Sequence, residues 1–178
     1  MPLVPMVIKR SHEGERSMDL YSRLLDERII MLTEPIDSAL AGIIVSQLLY
    51  LQSENASKDI TMYINSPGGE VIGMWSIIDT SLILANGTKG KRLILPHAEV
   101  MIHQPLGGAR GQASDIEIQA NQIIKTKRQG ELFMAEKTGQ PLEKVSRDMD
   151  RDYYMTAEEA LKYGVVDKII GQEAKNNF

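Results

Sequence analysis

The sequence predicts an α/β fold, and three observations carry that expectation. Short runs rich in β-branched and large apolar residues, at 60–64, 93–95 and 165–170, alternate with longer stretches whose apolar residues recur at helical spacing. Turn residues close the runs, as in Asn65-Ser66-Pro67-Gly68-Gly69. No internal repeat or linker divides the chain, so residues 1–178 read as one domain with a largely parallel sheet.

The elements follow in order. Residues 1–17 hold two prolines and the polar cluster Ser11-His12-Glu13-Gly14-Glu15-Arg16, which predicts a flexible N-terminal arm. A strand is expected over 28–32. Asp37 is a good N-cap for the helix that follows, where Leu40, Ile43, Ile44, Leu48 and Leu51 form one apolar stripe. The strand at 60–64 runs into the Ser-Pro-Gly-Gly turn, and 71–85 reads as a helix stopped by Asn86-Gly87. Strands at 93–95 and 100–102 flank Pro96.

Beyond them, Gly107, Gly108 and Gly111 loosen the chain before a long helix over 113–137. Its polar middle, 125–130, is expected to leave the core. Pro141 suits a helix's first turn. Thr156 and Glu159 make a capping-box pair for a short helix ending at Gly164, and 165–170 closes the domain as a strand.

Composition narrows the functional classes. The 178 residues are 43% hydrophobic and 25% charged, ordinary values for a globular chain. There is no cysteine, which excludes disulfides, a thiol nucleophile and cysteine-ligated zinc. The net charge of −4 lacks the basic excess of a nucleic-acid binder. No apolar run approaches the ~20 residues that span a bilayer. The opening MPLVPMVIK has neither a basic start nor a small-residue cleavage site, so the cytoplasm is expected, with a mitochondrial matrix or plastid stroma as the alternative.

Three places could carry chemistry. Gly68 and Gly69 follow a strand and precede a helix, where backbone N–H groups can hold a developing oxyanion; equally, this could be a plain strand-to-helix turn. His103, in Met101-Ile102-His103-Gln104-Pro105, ends an apolar strand and could act as a general base, or be a buried histidine bonded to a carbonyl. Asp152, within Asp148-Met149-Asp150-Arg151-Asp152, could orient an imidazole or belong to a solvated charge run. His12 and His97 read as surface residues. No histidine pair or acidic cluster has metal-ligand spacing, so no metal is expected.

Together, the segments LVPMVI, GERSMDLYSRLLDERIIMLTEPID, YINSPGG, VMIHQPLGG, GQASDIEIQA and DRDYYMTAEEALKYGVVD resemble the proteolytic subunit of the Clp protease, from Val4 to Ile170. The resemblance implies a crotonase-like fold of stacked ββα units with a protruding handle helix in the region 109–138. It implies two stacked seven-membered rings enclosing a chamber, fed with unfolded polypeptides by an AAA+ Clp unfoldase. ATP would be used by that partner, leaving this chain without a cofactor. His103 would be the general base and Asp152 the orienting carboxylate of a Ser-His-Asp serine endopeptidase. Gly68 and Gly69 would form the oxyanion hole, and Gly107, Gly108 and Gly111 would line an extended peptide. Residues 1–17 would form the axial arm, and the unfoldase would dock near Tyr63.

The chain departs from the family at one point. Family members carry a short strand and an Ala-Ser-Met-Gly turn, bearing the nucleophile, between two helices. Here Thr80, matching the end of the first helix, is followed directly by Ser81, matching the second. Roughly 20 residues are missing at that join by the usual lengths of such elements. Ser66 precedes a proline in a turn that the family pattern already uses, and Ser76 and Ser81 sit inside a helical apolar run rather than at the sharp exposed turn of a nucleophile. The family reading, a serine endopeptidase, therefore stands beside two alternatives. One is a non-catalytic ring subunit or deletion variant; the other is a crotonase-fold acyl-CoA enzyme.

Overall fold

The computed structural model describes residues 4–11, 14–69 and 84–171. They belong to two compact units, Met1–Ile83 and Leu84–Phe178. The expected helix over 71–85 lies outside the described residues except at its end, where Leu84–Asn86 forms a single 3-10 turn.

In the first unit, β1 (Met6–Ser11) pairs antiparallel with β2 (Gly14–Asp19), with Ser11 opposite Gly14. The stretch expected as a flexible arm is thus largely paired. Gly14 has φ +122°, a conformation that suits glycine at this reversal. Asp19 ends β2 and caps α1 (Leu20–Asp26), its carboxylate accepting from the Ser22 N–H at 3.0 Å.

A β–α–β unit follows: β3 (Ile29–Leu32), α2 (Ser38–Glu54) and β4 (Thr61–Ile64), with β4 parallel to β3. Asp37 caps α2 by accepting from the Leu40 N–H at 2.7 Å. The helix buries Ala41, Ile44, Leu48 and Leu51 against Ile30, Leu32 and Ile36. Ile43, expected on that stripe, is 56% exposed; Ala41 occupies the inward position one step round the helix.

Arg28 fastens the far end of α2. It sits at φ +63°, unusual for a residue with a Cβ. Its guanidinium donates to the carbonyls of Leu51, Asn55, Lys58 and Asp59 at 2.8–3.1 Å. Carbonyls at a helix end have no partners within the helix, so one side chain here satisfies that end and the loop leading into β4.

The second unit contains β5 (Leu93–Ile94), β6 (Glu99–Ile102), α3 (Ala113–Thr138), α4 (Leu142–Asp148), β7 (Tyr153–Thr156), α5 (Ala157–Tyr163) and β8 (Lys168–Ile169). β5 pairs parallel with β8, whereas β6 pairs antiparallel with β7. The expectation of a largely parallel sheet is corrected: of four pairings among the described residues, two are antiparallel. Only two residues separate β1 from β2, a connection too short for the crossover that a parallel pair needs.

The core gathers Ile94, Ile102, Val145, Met155, Ala157, Ala160, Val165, Val166 and Ile169, with Met134 and Ala135 of α3 packed against it. Consequently the part of α3 that leaves the core is its start. Residues 113–122 are all exposed, while the polar middle contains partly buried positions. Thr156 and Glu159 form the expected capping box, and Gly164 ends α5 at φ +90°. A Cβ at Gly164 would collide with the Thr138 carbonyl, so the close passage of α3's end requires glycine there.

Candidate active site

The pairing of β6 with β7 dictates where His103 and Asp152 go. Glu99 lies opposite Thr156, Val100 opposite Met155, Met101 opposite Tyr154 and Ile102 opposite Tyr153. One further step in the same register sets His103 opposite Asp152. Side chains alternate across a strand. Val100, Ile102, Tyr153 and Met155 contribute to the core side, and Tyr154 points outward, 61% exposed. His103 and Asp152 fall on that outer face. Their side chains meet, with His103 Nδ1 3.1 Å from Asp152 Oδ1.

This contact has a chemical consequence. A carboxylate beside Nδ1 favours the tautomer with its proton there, leaving Nε2 free to accept another. Both groups are open to water, 41% and 59% exposed, so a solvent-borne or extended reactant can reach them.

Next to the pair, Gln104 Nε2 donates to the Asp150 carbonyl at 2.7 Å, and Lys127 Nζ on α3 lies 3.2 Å from Asp150 Oδ1. Gln104 and Lys127 were not singled out by the sequence. The only available signal was Gln104's place beside His103.

The diglycine turn belongs to the first unit, His103 and Asp152 to the second. Within the turn, Ser66 Oγ donates to the Glu34 carbonyl at 2.7 Å and accepts from the Gly68 N–H at 3.2 Å. The Ser66 hydroxyl proton is thereby directed at a carbonyl. The Ile36 N–H donates to the Gly68 carbonyl at 2.8 Å, and Gly69 forms a bridge with Ile36. A Cβ at Gly69 would run into the Ile36 backbone, and Gly68 sits at φ +92°. Each glycine therefore has a steric reason to be glycine, apart from any part in binding an oxyanion.

The glycines after His103 divide in the same way. A Cβ at Gly107 would fall 2.7 Å from Ile123 Cδ1, the tip of a side chain on α3 that would have to turn aside. Gly111 has φ +133° and lies against the Asp115 carboxylate. Gly108 is exposed with open space around it, the arrangement an added peptide strand would need. Tyr63, on β4, is 57% exposed. Ser76, Thr80 and Ser81 lie outside the described residues. Among the described residues, no group of three or more His, Cys, Asp or Glu side chains is placed to hold a metal ion. Nor is any helix among them long and apolar enough to cross a membrane.

An imidazole and a carboxylate that meet at the end of a strand pair form an arrangement that can pass a proton to or from a hydroxyl. The family model for Clp protease matches residues 12–81 and 79–173. The chain belongs to the Clp protease family, peptidases of serine type with a crotonase-like α/β fold. Its match comes as two segments that overlap at Asp79-Thr80-Ser81.

Proposed function

We propose that this chain is a subunit of an ATP-dependent Clp proteolytic chamber, a serine endopeptidase that cuts unfolded proteins into short peptides. The observation that carries the reading is the 3.1 Å contact between His103 and Asp152, in a register set by β6 and β7, in a chain of this family. In the reaction, Nε2 of His103 takes the proton of a serine hydroxyl as that oxygen attacks the peptide carbonyl. Asp152 stabilises the imidazolium that results. His103 then gives the proton to the leaving amine, and water repeats the sequence to free the acyl group. Backbone N–H groups of Gly68 and Gly69 would hold the oxyanion. Gly107, Gly108 and Gly111 would lie along the bound peptide. The hydrolysis needs no cofactor.

The chamber would consist of two stacked heptameric rings. An AAA+ unfoldase would spend the ATP and dock near the exposed Tyr63 ring. The cytoplasm is the proposed location.

A specific observation favours a second reading, a ring member that does not cut. The sequence has no Ala-Ser-Met-Gly, and the family match breaks at 79–81. Ser66, in its turn, already donates its proton to Glu34. A fluorophosphonate probe separates the readings. Labelling of a serine in assembled rings supports the peptidase; assembled rings without label support the structural subunit.

A further inference from the structure

His103 and Asp152 approach to 3.1 Å although water reaches both. Exposed pairs of this kind do little to hold their own geometry, because solvent competes for each group. Asp152 also lies just outside β7, between it and the bend at Arg151. Its place must be held from elsewhere. On one side the β6–β7 pairing supplies this, ending at Ile102 and Tyr153. On the other side Gln104 donates through Nε2 to the Asp150 carbonyl at 2.7 Å.

We infer that Gln104 is a positioning residue for the His103–Asp152 pair. His103 and Gln104, adjacent in sequence, grip the two ends of the stretch 150–152. One meets the Asp152 carboxylate and the other the Asp150 main chain. The Asp150 carboxylate, 3.2 Å from Lys127 Nζ, adds a further tie to α3. A carbonyl oxygen can only accept, so the residue at 104 acts through a donor at the end of its side chain. Length without a donor is not enough, and an acceptor there opposes the contact. The inference rests on His103 being the base of the site.

The test is side-chain ¹⁵N NMR of the full chain labelled at histidine, which has three such residues, with His103→Ala assigning the resonance. The native chain is expected to show a protonated His103 Nδ1 shifted downfield by Asp152, and Asp152→Asn loses that shift. Gln104→Met and Gln104→Glu are expected to lose most of it as well, with unfolding midpoints close to the native one. Gln104→Lys, which restores a donor, recovers part of it. A full Asp152-dependent shift in Gln104→Met overturns the inference. So does its absence from the native chain, since no pair is then held. The readout needs no serine, so a chain unlabelled by fluorophosphonate leaves it intact.

Discussion

Arg92 and Asp167 form a two-point pair in the second unit: Nη2 lies 2.6 Å from Oδ1 and Nε 2.9 Å from Oδ2. The Arg92 side chain is 4% exposed and that of Asp167 15%. Arg92 also donates to the carbonyls of Ala85 and Lys137, and Asp167 accepts from the Gly90 and Arg92 N–H groups. One ion pair thus ties together the 3-10 turn, β5, the end of α3 and the approach to β8.

Removing one partner strands a buried charge, which typically costs about 3–5 kcal/mol. Asp167→Ala is therefore expected to lower stability by that order, measured by urea unfolding. A loss under about 1 kcal/mol, the range of exposed pairs, would remove the tie from the account.

The same pair sets an acid limit. Hydrogen bonds from Arg92 hold the Asp167 carboxyl down from 3.8 to about 2. A depressed pKa gives stability above the ordinary value that is lost as pH falls through the folded one. The contribution, about 2 kcal/mol from the size of the shift, is present above pH ~4 and disappears toward pH ~2. Asp167→Asn should flatten that part of the stability profile; an unchanged slope counts against it.

At the diglycine turn, a Cβ at Gly69 meets the Ile36 backbone, which cannot move as a side-chain tip can. Gly69→Ala is expected to cost roughly 1–3 kcal/mol, as overpacking does. Hydrogen exchange should report it through faster exchange of the Ile36 N–H, which donates to Gly68. Unaltered protection at Ile36 would contradict the predicted strain.

Thr156 accepts from the Glu159 N–H while Glu159 accepts from the Thr156 N–H and hydroxyl. Thr156→Ala should lower stability by about 1 kcal/mol, the usual worth of an N-cap. Thr156→Ser should retain most of it.

Such caps were legible because they are local: Asp37, Thr156 and Glu159 act within one helical turn. Pairings between distant strands were harder to read. Tyr153–Thr156 sits behind the charges of 148–152, so the run looked solvated, yet it is the partner that sets Asp152 opposite His103. The pairing of β1 with β2 was hidden in the same way by the polar sequence 11–16. On α2, Ile43 fitted the stripe as well as Ala41 did. Only the packing of β3 decides which faces inward. His103 and Asp152 themselves were picked out singly, and their meeting depends on a register no motif spells out.

The central proposal is that His103 and Asp152 act as the general base and orienting carboxylate for a serine hydroxyl of the Clp type. The most direct measurement inserts a family-type strand and Ala-Ser-Met-Gly turn, ~20 residues by usual element lengths, between Thr80 and Ser81. Fluorophosphonate labelling is then scored on assembled rings, with and without His103→Ala. The account predicts that the inserted serine is labelled and that His103→Ala abolishes the labelling. Equal labelling without the imidazole, or assembled rings that stay unlabelled, would contradict it.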